Sequence, residues 1–381
     1  MIENTEAVDI AIVGAGPLGM ALALALERGP SIALIDSRAR GAWADDPRAL
    51  ALAHGSRQLL ERLGAWNSEA ATLIREIHVS QRGGFGRTRI AADDYGTPAL
   101  GYVMRYRDLA DALAARVPAA SLFAPCSVEA IETGEESATL TLAHEGATRS
   151  LRAKLVVHAE GMPAAGPEVR VRDYQQQAIV AEVRTRLPHG HRAWERFTPD
   201  GPLALLPLGE SYAVVFTVPS DKAASLLALG DDDFLATLQA QFGKRLEFVA
   251  SGPRASFPLT LRLRAQLTGP RQVWIGNSAQ TLHPVSGQGF NLGLRDAWQL
   301  AAGLLDRPDP GAPATLAGYA RGRRIDRRGS VAFTDSLVRI FSNDLPPLRV
   351  ARGLGLLAVD LCPPLRHFVA KRMIWGARAW P

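Results

Sequence analysis

The sequence is nearly without cysteine. Cys126 and Cys362 are the only two in 381 residues, far apart and without a nearby Cys or His partner. That excludes a disulfide framework and any standard zinc or iron–sulfur site, so no metal is expected, and it fits a reducing cytoplasm. Long apolar runs are also missing: no stretch approaches the roughly 18 to 20 uninterrupted residues of a spanning helix. The opening "MIENTEAVDI" carries acids rather than a basic region and an apolar run, so no secretory signal is expected. Charge of one sign is scarce too. Lys and Arg total 43 against 38 Asp and Glu, an excess too small to argue for nucleic acid. No internal repeat or low-complexity run stands out. What the chain does have is 47% hydrophobic residues over a length sufficient for two domains or one composite one with a sizeable core.

"VDIAIVGAGPLGMALALALERGPSIALID" reads as strand, glycine turn, helix, strand. Val8, Ile10, Ile12 and Val13 form the first strand, and Gly14, Gly16 and Gly19 follow as G-x-G-x-x-G. The first glycine permits the tight turn, the second lets backbone approach a pyrophosphate, and the third brings helix and strand together. The helix directs its N-terminal N–H groups at the phosphates. Asp36 ends the next strand, about 20 residues on, where a carboxylate can accept bonds from ribose hydroxyls. This unit indicates a dinucleotide without separating NAD from FAD.

"WIGNSAQTLHPVSGQGFNLGLRD", residues 274–296, supplies a second such junction. A strand delivers Asn277, and a glycine turn feeds a helix with Leu292, Trp298 or Ala297, Ala301 and Leu305 on one side. Exposed donors at a helix N-terminus suit an electron-rich carbonyl or an anionic ring, such as the N1–C2=O edge of reduced flavin. Two segments from distant parts of the chain would clamp one long cofactor, and FAD is long enough to need both.

At these residues the chain resembles the FAD-dependent aromatic hydroxylases related to p-hydroxybenzoate hydroxylase, and within them the ubiquinone-biosynthesis group that contains the 2-polyprenyl-6-methoxyphenol hydroxylases. "GNSAQTLHPVSGQGFNLGLRD" is similar almost letter for letter to that group's C-terminal flavin motif. "DPRALALAHGSRQLLERLGAW", "RAWERFTPDGPLALLPL" and "FTDSLVRIFSN" extend the likeness from Val8 to about Leu361. The resemblance implies an α/β fold: a Rossmann-like FAD-binding domain (parallel sheet, βαβ) with an inserted, mostly antiparallel β-sheet substrate domain and C-terminal helices. The expected division is 1–73, 99–165 and 271–330 for the FAD-binding domain, 74–98 and 166–270 for the substrate domain, and 331–381 for the helical segment. It also implies hydroxylation of an electron-rich phenol ring with NAD(P)H and O2 through a flavin C4a-hydroperoxide, the substrate being a polyprenyl phenol.

The resemblance places Gly14, Gly16, Gly19 and Asp36 on pyrophosphate and ribose. Arg48 matches an arginine near the flavin and its phosphates; otherwise it is a surface arginine starting a helix. Asn277 takes the place of an aspartate on the ribityl chain, and an amide can make a similar bond. Pro284 and the backbone of Gly287, Gln288, Gly289, Phe290 and Asn291 match the loop beside the isoalloxazine ring. His283 is a candidate base, or merely positional before Pro284. One departure is clear. Where the class has Asp-Gly, this chain has Glu160 and Gly161, one methylene longer with the same charge, which bears on the handling of the nicotinamide donor.

"RGRRIDRR", residues 321–328, reads as a solvated helix face. The segment from Leu345 onward alternates Arg366, Lys371, Arg372 and Arg378 with Leu354, Leu357, Leu361, Phe368, Trp375 and Trp380. Basic amphipathic helices with terminal tryptophan can lie in a membrane interface, giving peripheral contact at its inner face. The alternative is a helix pair packed on the FAD domain or on a sister subunit of a homo-oligomer. A third reading is a non-catalytic role, with FAD structural within a multi-protein quinone-biosynthesis complex. A flavin hydroxylase of another aromatic compound is the rival enzyme reading.

Overall fold

A computed structural model describes residues 6–341 and 346–375; Arg378 and Trp380 lie outside the described residues. Among these residues three sheets form, surrounded by helices. The first is built on Glu6–Val13, which pairs in parallel with Ile32–Ile35 on one side and Ala147–His158 on the other. Leu122–Phe123 and Gln272–Trp274 extend the parallel run at its two ends. Its central residues Ile10, Ile12, Leu34, Leu155 and Val157 are all buried, the composition expected of strands covered on both faces. Parallel neighbours need a crossover, and helix Pro17–Ala25 provides the first one.

The second sheet has the 17-residue strand Val169–Thr185 as its spine, antiparallel to Ser211–Pro219 on one side and Ala255–Arg264 on the other. Gly201–Leu208 and Arg192–Thr198 continue it. The hairpin Glu76–Gln81 and Arg87–Ala91, from much earlier in the chain, then joins parallel to Arg192–Thr198. Period-two alternation gives this sheet two different faces. Trp194, Leu203, Leu205, Val214 and Phe216 pack against Phe234, Leu238 and Phe242 of helix Asp231–Phe242. Ala193, Glu195, Phe197, Ala204, Leu206, Val215 and Thr217 face the other way, onto a cavity. A small antiparallel sheet of Ala49–Ala53, Gly101–Arg105 and Thr72–Ile74 lies beside it. Arg48 therefore precedes a strand and does not start a helix.

Helix Gly289–Leu304 buries Leu292, Ala297, Leu300, Ala301 and Leu304. Ala297 rather than Trp298 completes the inward face, and Leu305, expected there, is exposed because the helix has ended. Helix Pro313–Phe341 overturns the solvated reading of residues 321–328. Arg323 is 0% exposed and Asp326 1%, whereas Ile325 is 68% exposed. Arg323 pairs with Asp296 at 2.6 Å and Asp326 at 2.9 Å, and Arg295 closes the network on Asp326 at 2.8 Å. Burial raises the Asp326 carboxyl, but Arg295 and Arg323 override it and hold the group below its ordinary range. Arg327 bonds Gln280 and the carbonyls of Arg264 and Ala279.

Helices Pro346–Leu361 and Pro363–Trp375 pack on the hairpin of the second sheet. Thr88 Oγ1 donates to the Leu356 carbonyl at 2.7 Å, and the Arg89 N–H to Asp360 Oδ1 at 3.0 Å. Gly86 and Gly353 let the two backbones touch, since a Cβ on Gly86 would lie 2.3 Å from the Gly353 oxygen. Trp375 meets His54 edge-on at 4.9 Å. Among the described residues no helix is long and apolar enough to cross a membrane.

Replacing Arg323 by Ala would leave the buried Asp296 carboxylate without its paired cation and Asp326 with Arg295 alone, at a cost of about 3–5 kcal/mol. Urea titration of the variant should show the midpoint fall accordingly; a loss within error would mean that water repairs the network.

Candidate active site

The three N-terminal glycines occupy positions that constrain them differently. Gly14 has φ +107°, and a Cβ there would sit 2.5 Å from the Ala159 carbonyl carbon. A Cβ on Gly19 would lie 1.8 Å from the Gly14 oxygen, so helix and turn touch only because Gly19 lacks a side chain. At Gly16 the nearest atom to such a Cβ is the Tyr106 hydroxyl, 3.6 Å away, which leaves the approach open. Gly16 caps helix Pro17–Ala25, whose first turn contains no acid to neutralise its positive end.

Asp36 is 7% exposed and tied to this loop: Ala15 N–H donates to Oδ2 at 2.8 Å, and Arg38 N–H to Oδ1 at 2.9 Å. It borders a cleft lined by Met20, Leu34, Arg38, Arg40 and Trp43. Arg48 is paired with Asp46 at 2.5 Å, and its guanidinium lies 4.5 Å from the Tyr106 ring centroid. Tyr106 thus bridges Arg48 and the Gly16 approach. Glu160 is half exposed and has His158 at 3.1 Å; that imidazole stacks on Trp274 at 4.9 Å. Gly161 has φ +105°, and its carbonyl accepts from Ser278 Oγ at 3.0 Å.

The second junction meets the first through Leu18. A Cβ on Gly276 would lie 2.2 Å from Leu18 Cδ1, and one on Gly293 2.5 Å from the same atom. Two glycines of the later motif therefore form a slot for one leucine of the earlier helix. Asn277 sits in the turn Gly276–Ser278, and its side-chain amide has no hydrogen-bond partner among the described residues. Asn291 is the opposite case: its Oδ1 accepts from Ala53 N–H and Ser56, and its Nδ2 donates to the Ala51 and Gly287 carbonyls, all at 2.7–2.8 Å. Its side chain is spent on tying the loop to strand Ala49–Ala53, leaving only its backbone for a ligand.

His283 is 1% exposed and caps the turn Pro284–Ser286, its Nδ1 accepting from Val285 N–H at 3.1 Å. Burial holds its imidazole down to about 4, so it is neutral at physiological pH. It does not line the neighbouring cavity, whereas Pro284, Gly287 and Gln288 do. Gly287 turns the chain at φ +58°, and the helix opens at Gly289 and Phe290 with no acid in its first turn.

That cavity, of about 690 Å³, lies between this loop, the free face of the second sheet and the C-terminal helices. Its walls are overwhelmingly aliphatic and aromatic. Glu195 is the one carboxylate in the lining, and burial pushes it up to about 8. Sequence reading missed it, although its place in the alternating "RAWERFT" strand would have put it on one face with Ala193 and Phe197.

A glycine-cradled helix N-terminus, a second glycine loop clamped onto it and an apolar cavity beside that loop define a flavin-dependent aromatic monooxygenase. The sequence pattern of the FAD binding domain family matches residues 7–331. The ubiquinone hydroxylase UbiL of Rhodospirillum rubrum is 37% identical over 98% of this chain and 91% of its own. The 3-demethoxyubiquinol 3-hydroxylase of Escherichia coli is 31% identical over 97% and 98%. Among solved structures, p-nitrophenol 4-monooxygenase from Pseudomonas putida superposes with a TM-score of 0.77 over 98% of this chain and 99% of its own, at 15% identity, a likeness of fold. The chain belongs to this family of FAD-binding hydroxylases, in its ubiquinone-biosynthesis group.

Gly293→Ala should destabilise the protein by about 1–3 kcal/mol through overpacking on Leu18, and adding Leu18→Ala should recover most of that loss. Thermal unfolding of the two single variants and the double variant checks this; additive losses would refute the slot. For Glu195 the folded carboxyl keeps its proton where the unfolded chain has released it. Its contribution to stability is therefore complete below about pH 4.5 and is lost as pH rises toward about 8. The melting temperature of Glu195→Gln should overtake that of the unaltered protein progressively between about pH 5 and about pH 8. A constant difference would show that Glu195 titrates normally.

Proposed function

We propose that the chain hydroxylates the aromatic ring of a polyprenylated phenol in ubiquinone biosynthesis, with NAD(P)H and O2 as co-substrates. The carrying observation is the cavity: large, apolar, beside the loop Pro284–Gln288 and roofed by Leu348, Leu356, Val359, Leu365 and Met373. A long hydrocarbon tail fills such a space and takes its apolar walls out of water. The matched relatives that carry functional names in this group are ubiquinone hydroxylases.

The residues present fit FAD. The open approach at Gly16 and the unneutralised end of helix Pro17–Ala25 suit a pyrophosphate, with Arg48 nearby. Asp36 would take ribose hydroxyls on its remaining lone pairs, and the unengaged amide of Asn277 the ribityl chain. The backbone donors from Gly287 through Gly289 and Phe290 to Asn291 would meet the electron-rich edge of the ring. Glu160 and Gly161 stand next to the first loop, on the side where a nicotinamide donor would arrive. Bound there, the flavin supplies the transfer of one oxygen atom from O2 to the ring. The protein's part is to keep the cavity dry, hold the ring beside the loop and present neutral groups around it.

In this reading residues 1–73, 99–165 and 271–330 serve FAD, and 74–98 with 166–270 serve the substrate. The outward face of the C-terminal helices carries Val350, Leu354, Leu357, Leu361 and Phe368, all exposed. Lying directly over the cavity, this face would rest on a membrane surface and receive a lipid-borne substrate.

The test is donor oxidation by the FAD-loaded protein with two phenols that differ only in a prenyl tail. The tailed phenol should accelerate oxidation and yield a product heavier by one oxygen. Equal turnover of the tail-less phenol would sink the polyprenyl assignment.

A further inference from the structure

Glu195 has no hydrogen-bond donor and no cation within reach among the described residues; its Oε1 is buried and unpartnered. Strand register explains how it comes to be there. Glu195 pairs with Val79 on one side and Ala204 on the other, and Ala204 pairs with Val215. Those four residues form one row across four strands, and all of them line the cavity. Its chain neighbours point the opposite way: Trp194 Nε1 donates to the Tyr212 hydroxyl and Arg196 Nε to the Gln241 carbonyl. Glu195 is only partly buried, with Oε1 itself covered, and the residue lines the cavity.

An unpaired carboxyl in an apolar wall works against folding, and leucine would serve packing better. Such a sacrifice makes physical sense where a ligand brings the missing partner. A second unpartnered oxygen, Thr217 Oγ1, lies on the same wall. We propose that Glu195 binds the hydroxyl group on the substrate's aromatic ring, and that this polar contact fixes which ring carbon is turned toward the loop Pro284–Gln288. With its carboxyl protonated at neutral pH, Glu195 both donates to and accepts from a neutral phenol. The other charged residue of the lining is Arg352, on the roof helix Pro346–Leu361 rather than on the sheet, and it does not enter the balance of forces on Glu195. The proposal rests on reading the cavity as the phenol site.

The experiment uses the full chain loaded with FAD, titrated with 2-prenylphenol and with prenylbenzene, which lacks the hydroxyl. Binding is followed by calorimetry, with FAD content and melting temperature recorded for each variant. The unaltered protein should prefer the phenol by about tenfold or more. Glu195→Leu should bind both ligands alike while melting no lower, and Glu195→Gln, which keeps its hydrogen-bonding capacity, should retain most of the preference. A Glu195→Leu protein that still prefers the phenol overturns the proposal and leaves the cavity assignment standing. One that loses FAD or melts lower also overturns it, because Glu195 would then be structural. If the unaltered protein binds neither ligand, the cavity assignment falls and the proposal with it.

Discussion

The Asp296 carboxylate, 3% exposed, holds together the three pieces on which the active site depends. It accepts from the Gly276 N–H at 3.0 Å, from Gln280 Nε2 at 2.7 Å and from Arg323 Nε at 2.6 Å. The turn that presents Asn277, the helix that opens at Gly289 and the long helix Pro313–Phe341 thus share one buried anion. In a low-dielectric interior none of the three can move without leaving that charge uncompensated, so the geometry of the later glycine loop is fixed by electrostatics as much as by packing.

The earlier loop is fixed by shape. Gly14 and Gly19 contact each other and Ala159 backbone to backbone, and Leu18 enters the slot between Gly276 and Gly293. The two loops come from distant parts of the chain, yet a single leucine sets their separation. Asn291 adds a third tie, to strand Ala49–Ala53, and so positions the cavity wall relative to both.

What could be read in advance follows from this. The glycines and Asp36 were legible because turn geometry and close approach leave few residue types possible at those places. The buried pairs were not. Arg323, Asp326 and Ile325 fall in a run that any hydropathy reading turns outside in, since nothing local marks a charge whose partner lies on another helix. His283 attracts attention by type, but its role as the cap of the turn Pro284–Ser286 is set by backbone geometry. Glu195 was hidden for a different reason: a cavity assembled from several strands and helices has no sequence pattern of its own. The Glu76–Gln81 hairpin, which enters the second sheet in parallel, is equally non-local.

The close backbone contact of Gly86 with Gly353 bears on how the cavity is closed. The roof of the cavity comes from residues between Phe333 and Met373, later in the chain than both glycine loops. The cavity is therefore closed by a stretch of chain separate from the two loops, and its closure turns on the seat of Gly353 against the hairpin. A side chain at Gly86 would push that stretch off the hairpin and open an apolar cavity to water.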